Sequence, residues 1–263
     1  MTAELMLARP TTRAARRDNE LDRQLSDAAV RHPSGRPWSL RPVDGGVEIH
    51  IDDRSGAAPS MAGLHTMRIM AGTVVRNLRL GVSALGHRPV VTLFPPTKHG
   101  SVLAVVRRGV ATEPTPLDRA LVEMALQVGR YLPGVGEGPV PDGVVRRVRE
   151  AVEAENVWLC SVDDAVRLKL AQAHPEVAAV PATARLMAIG GNHDVASVHL
   201  QAGQAVQSLV LMARLLGYTA AVAAWPGDLS ARPVHESIAG HGRFPQVLVA
   251  IGSPVISAVH DRP

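Results

Sequence analysis

Apolar and polar positions alternate along this chain with two different periods, and the switches between them outline its elements. In ELDRQLSDAAVRH (20–32) the spacing of Leu21, Leu25, Ala28 and Ala29 makes one helical face, which Pro33 ends. After the loop HPSGRPW, the segment VEIHID (47–52) alternates as a strand, and DDRSG (52–56) reads as the turn behind it. Residues 60–85 carry a long helical pattern with Gly86 as its stop. Two strands, 89–95 and 101–108, precede a helix from Pro114 to Val128. The Pro- and Gly-dense YLPGVGEGPVPDG (131–143) is a surface loop and the clearest internal boundary. Beyond it lie a helix with Arg146 and Glu150 at i,i+4, a strand (156–162), and a helix that Asp163 or Asp164 can cap and that His174 and Pro175 close. The last third predicts a strand (185–191), a long apolar helix (195–216) with Gly217 as its cap, a strand (219–225), a short helix near 229–239 and a strand (246–252). This order defines an α/β or α+β sheet protein.

Length and composition narrow the class. The 263 residues amount to about 1.75 average domains, so one large domain or two joined halves are expected. With 46% hydrophobic and 20% charged residues there is ample material for a core. Only seven side chains are aromatic, so Ala, Val and Leu must fill the core, and a stacking platform for bases is disfavoured. The net charge of +4 is carried almost wholly by arginine, since Lys98 and Lys169 are the only lysines. Residues 1–17 read as a disordered basic arm, for which a solvated tail is the plainer reading than a nucleic-acid or partner contact. Cys160 stands alone, which excludes an intrachain disulfide. The first residues lack a continuous apolar run and no stretch is long enough to cross a bilayer, so a cytoplasmic protein without membrane association is expected.

Most motifs with a mechanism are absent. GVGEGP (134–139) is not a dinucleotide fingerprint, and Ser34 and Ser208 lack a nucleophile elbow. The eleven histidines show no H-x-x-x-H or H-E-x-x-H spacing; GGNHD (190–194) reads as a strand-to-helix turn capped by Asn192 or Asp194, and no metal site is expected. What remains is RHPSGRPW (31–38), where Arg31, Ser34 and Arg36 surround Pro33 and Pro37. Guanidinium forks and a hydroxyl on a proline-stiffened loop suit a phosphate, although exposed arginines on a turn would look the same.

At this loop the chain resembles the nitroreductase family, in particular its Acg-type, two-halved flavin-binding branch. The matching elements are RHPS (31–34), RPW (36–38), VEIHID (47–52), DDR (52–54), AGTVVRNLR (71–79), Gly86 and VVTLFP (90–95). The C-terminal third adds Ala202 and Gly203, then Gly217 to Thr219, AAWP (223–226), VLVAIG (247–252) and a tail ending Asp261, Arg262, Pro263. The resemblance implies an α+β, nitroreductase-like fold over 18–263: a central mixed sheet flanked by helices, in two pseudo-symmetric halves of about 18–133 and 143–263. It implies FMN at their junction, with Arg31, Pro33, Ser34, Arg36 and Arg262 at the phosphate and Ala223, Ala224 and Trp225 along the isoalloxazine ring. NAD(P)H would be the electron donor and a small organic molecule the acceptor, on a homodimer or an internally pseudo-dimeric monomer. No protein acid or base is needed, so catalytic residues stay unassigned.

The chain also departs from the family. Arg36 stands where a Gln is usual, the phosphate-gripping Arg pair is reduced to Arg130, and the segment between about 173 and 185 is short. A degenerate flavin-binding or flavin-free binding protein on the same fold, with little or no turnover, is therefore the alternative.

Overall fold

The computed structural model describes residues 38–51, 60–96, 102–128, 134–225 and 232–255. The basic arm, the loop holding Arg31, Pro33, Ser34 and Arg36, as well as Arg130 and Arg262, lie outside the described residues.

The fold is α+β. Strands β1 (Trp38–Val43) and β2 (Gly46–Ile51) form a hairpin across Asp44 and Gly45, a dipeptide suited to a tight turn. Helix α1 (Met61–Ala84) follows, then β3 (His87–Leu93) and β4 (Val102–Ala111), giving a sheet of order β1-β2-β4-β3. Helix α2 (Pro116–Val128) starts at a reciprocal cap: the Thr115 backbone N–H and hydroxyl donate to Asp118 Oδ2 at 3.1 and 2.7 Å, and the Asp118 N–H donates to Thr115 Oγ1 at 3.0 Å.

The second sheet is built from β5 (Val135–Gly136), β6 (Trp158–Ser161), β7 (Arg185–Gly191), β8 (Thr219–Ala224) and β9 (Phe244–Pro254). Val249 pairs with Met187 of β7 and with Val222 of β8, so β9 lies between them and the run is β6-β7-β9-β8, with β5 joined to the end of β9. Helices α3 (Asp142–Glu153), α4 (Asp164–Ala173), α5 (Pro175–Ala178), α6 (Ala196–Leu215) and α7 (Arg232–Ala239) complete the chain. Every pairing among the described residues is antiparallel and the strands fall into two sheets, whereas the sequence reading has one central mixed sheet.

Helices α1 and α6 pack against each other between these sheets. At their crossing, a Cβ on Gly72 would lie 2.2 Å from the Leu200 carbonyl oxygen, and one on Gly203 would lie 1.9 Å from that of Ile69. The contact is reciprocal: each glycine meets the carbonyl found one turn before the other. Ile69 is fully buried in the cluster formed otherwise by 140–251, while Leu200 is fully buried in the cluster formed otherwise by 38–106. Both helices end the same way, at Gly86 (φ +80°) and Gly217 (φ +83°), a left-handed conformation that releases the chain into β3 and β8.

Three local expectations change. Residues 38–43 form a strand that the sequence pattern leaves in a loop, and its Trp38 is buried in the core. Glu150 pairs with Arg147 at 3.2 Å, an i,i+3 contact in place of the i,i+4 pair with Arg146. Helix α6 has no side-chain cap; Val195 stands at its N-cap, and Asp194 is drawn away to His199.

Candidate functional site

The long helices bring together charged and polar groups that sequence spacing keeps apart. Near the start of α1 stands His65, half-buried; on the first turns of α6 stands His199, buried. Their rings stack with centroids 3.6 Å apart and planes inclined by 21°. His199 Nε2 lies 2.8 Å from Asp194 Oδ1, His65 Nε2 is hydrogen-bonded to Gln246 Oε1, and Gln246 Nε2 donates to Asp194 Oδ1 at 3.4 Å. Gln246 is buried in β9 and also donates to the Phe244 carbonyl at 3.3 Å. The set therefore spans a helix start, the turn before a second helix, and a central strand.

Electrostatics here favour neutral imidazoles. Burial, reinforced by His199 and Arg68, brings His65 from 6.5 down to about 4 against the opposing pull of Gln246 and Asp194. Burial likewise lowers His199, although its bond to Asp194 opposes this. For Asp194 burial acts upward, yet the hydrogen bonds from His199 and Gln246 outweigh it and hold the carboxyl below its ordinary value. Between about 4 and 6.5 the unfolded chain thus binds a proton that folded His65 refuses, so stability falls as pH drops through that window. Urea unfolding in chelator-containing buffer should give a clearly lower midpoint at about pH 5 than at about pH 7, and His65→Gln should shrink the difference. Equal midpoints for the native sequence would contradict the assignment.

A second network lies deeper between α1 and α6. The Glu155 carboxylate, just beyond α3, is only 6% exposed; it takes Arg79 Nη1 at 2.5 Å and lies 3.4 Å from Arg76 Nε. Ser208 accepts from Arg76 Nε at 2.7 Å and donates to Glu155 Oε1 at 3.2 Å, while Arg79 Nη1 also donates to Gln204 Oε1 at 2.8 Å. Burial lowers the Arg76 pKa, with Glu155 opposing. Glu155, Ser208 and Gln204 are buried while Arg76 and Arg79 stay partly exposed; the network holds helices together, and Ser208 is a link in it.

Of the residues singled out in the sequence, Ala223 and Ala224 are buried at the end of β8. Trp225 follows them, half-buried, and packs against both large clusters, the one around α6 and the one around α1. Because Ala224 pairs with Leu248, β8 runs out toward the Gln246 end of β9, the end that carries the histidine cluster. Sequence reading missed His65, His199, Asp194 and Gln246. The one sequence signal near them is GGNHD before α6, whose pattern predicts a cap.

No family model matches this chain, nor does any curated protein. Several solved structures are similar to it in shape, including the following two. One is the hypothetical oxidoreductase YcnD from Bacillus subtilis, at 17% identity and a TM-score of 0.38, covering 48% of this chain. This chain spans 63% of YcnD. The other is a provisionally named nitroreductase in complex with FMN from Desulfovibrio desulfuricans, at 16% identity and a TM-score of 0.40, covering 57% of this chain and 92% of that one. Among the described residues no helix is long and apolar enough to cross a membrane.

Proposed function

We propose that this chain is an FMN-dependent, nitroreductase-like oxidoreductase that uses NAD(P)H to reduce a small organic acceptor, and that its two sheets are pseudo-symmetric halves. The observation carrying this reading is the position of Trp225, packed on both clusters where the resemblance implies the flavin ring. Shared connectivity supports the halves. In each sheet an antiparallel strand pair, β1–β2 or β6–β7, precedes a long helix, a positive-φ glycine ends that helix, and the next strand takes the outer place beside the last.

The described part of the implied cofactor set fits a planar ring. Ala223 and Ala224 are small and buried in one cluster, and Trp225 beside them is half-buried and packs on two others, so this stretch would offer a planar ring an apolar wall. Arg31, Ser34 and Arg262 would hold the phosphate by charge-assisted hydrogen bonds, with Pro33 and Arg36 shaping the loop. Bound FMN would supply hydride transfer from NAD(P)H to the acceptor. The protein's task is then to orient the ring, grip its phosphate and exclude water. A junction formed within one chain favours the internally pseudo-dimeric arrangement, and use of NAD(P)H would imply a cytoplasmic setting.

The test is the visible spectrum of the purified protein with and without added FMN, followed by NAD(P)H addition under anaerobic conditions. Flavin bands bleached by NAD(P)H are expected. Bands without bleaching would leave a flavin-binding protein, and no binding at micromolar FMN would sink the oxidoreductase reading. Arg31→Ala should weaken FMN binding at least about tenfold more than Arg13→Ala, since it removes charge-assisted bonds.

A further inference from the structure

We propose that His65, His199 and Asp194 form a binding site for a divalent first-row transition-metal ion, zinc above all, at the junction of α1, α6 and β9. Each residue offers one ligand atom, and these atoms lie within 4.8 Å of one another. Two imidazole nitrogens and one carboxylate oxygen are a donor set that zinc and its neighbours prefer over the oxygen-only sets of calcium and magnesium. The proposal is independent of the flavin reading.

The surroundings suit a metal centre in three respects. The carboxylate and the rings are already oriented: Gln246 bonds both His65 and Asp194, and is itself tied to the Phe244 carbonyl. Such supporting bonds restrict the ligands before the ion arrives. The Asp194 side chain is 48% exposed while that of His199 is 7% exposed, so the cluster has a wet side for entry and a dry side for retention. Finally, His199 Nδ1 is buried without a hydrogen-bond partner among the described residues, so the ring is incompletely satisfied as it stands.

Three protein ligands leave an open coordination position, the feature that separates reactive or ligand-binding centres from closed structural ones. Arg68 acts on both histidines as a like charge and would weaken the hold on a dication. Its Nε is also buried without a partner among the described residues. That guanidinium suits an anionic group, such as a carboxylate or phosphate, at the open position.

The experiment uses the full chain, free of any affinity tag and stripped with chelator. Co2+ is titrated with the visible absorption of the bound ion as readout, and Zn2+ is measured by calorimetry and by competition. One ion per chain with a Kd at or below about 1 μM is expected. His65→Gln and His199→Gln should each weaken binding by at least about 10–100-fold, the loss typical when a group that only supports a metal ligand is removed. His241→Gln, at an exposed histidine paired with Glu236, should change nothing. Arg68→Gln should tighten binding several-fold, which a purely structural histidine pair would not show. Circular dichroism verifies folding; if His199→Gln does not fold, half-buried His65 carries the test. Absence of binding at micromolar ion, or binding untouched by His65→Gln, would overturn the proposal.

Discussion

Replacing Glu155 with alanine will lower the melting temperature by roughly 10 °C, the largest loss expected from any single polar substitution in the described residues. The carboxylate is buried beneath two guanidinium groups, and Arg76 has no other acid at hydrogen-bonding distance among the described residues. Removing one member of a buried ion pair costs about 3–5 kcal/mol, because the remaining charge stays desolvated and uncompensated. For a chain of this size each kcal/mol moves the midpoint by about 2–4 °C. Glu155→Gln should be milder, since an amide oxygen can still accept from Ser208 or Arg79. Thermal unfolding followed by circular dichroism decides the matter: a shift under about 3 °C would mean that solvent reaches the two arginines.

Gly203→Ala will be comparably damaging through a different cause. The added methyl would be 1.9 Å from the Ile69 carbonyl oxygen and 2.8 Å from the Gly72 Cα. Both obstacles are helix backbone, so no rotamer change can make room and the helices must move apart. Overpacking of a core costs about 1–3 kcal/mol where side chains can yield. A backbone clash should exceed that range and expose apolar surface along α1 and α6. Gly72→Ala, at 2.2 Å from the Leu200 carbonyl oxygen, should behave alike. The control is Gly143→Ala near the start of α3, where nothing lies within 4 Å of the new atom; it should be neutral or stabilise by up to about 1 kcal/mol. If Gly203→Ala unfolds at the same urea concentration as Gly143→Ala, the close crossing of α1 and α6 is wrong.

Much of the fold was readable from periodicity. The helix expected over 60–85 is α1, capped by Ser60, whose Oγ accepts from the Gly63 N–H at 3.1 Å. The helix expected over 195–216 is α6. Both carry continuous apolar faces, and glycine stops them. Strand β1 is hard to read because the apolar–polar alternation of WSLR is short, follows a Pro- and Gly-bearing loop and stops at Pro42, although the Asp44-Gly45 turn behind it is a usable hairpin signal. Register and the split into two sheets were out of reach, since both depend on pairings between distant segments. The site was least legible. His65 is remote in sequence from Asp194 and His199, and those two are five residues apart, outside any metal-ligand spacing, so only the packing of α1 on α6 brings them together. The same packing sets Arg76 and Arg79 on Glu155. Of the residues chosen from the resemblance, Trp225 packs on both main clusters and Ala223 and Ala224 lie in a third, while Arg31, Pro33, Ser34, Arg36 and Arg262 lie outside the described residues.

The exchange of Ile69 and Leu200 between the two main clusters bears on how this chain comes apart. Each cluster is completed by a side chain from the opposite long helix, fully buried in both cases. A fragment cut within 131–143 would leave α1 or α6 with an apolar stripe and no opposing helix, and would lose a large buried aliphatic group whose deletion alone costs about 2–5 kcal/mol. Neither sheet is therefore an autonomous folding unit. Heat or denaturant should unfold both in one cooperative step, and coexpressed fragments should regain their structure only as a complementing pair.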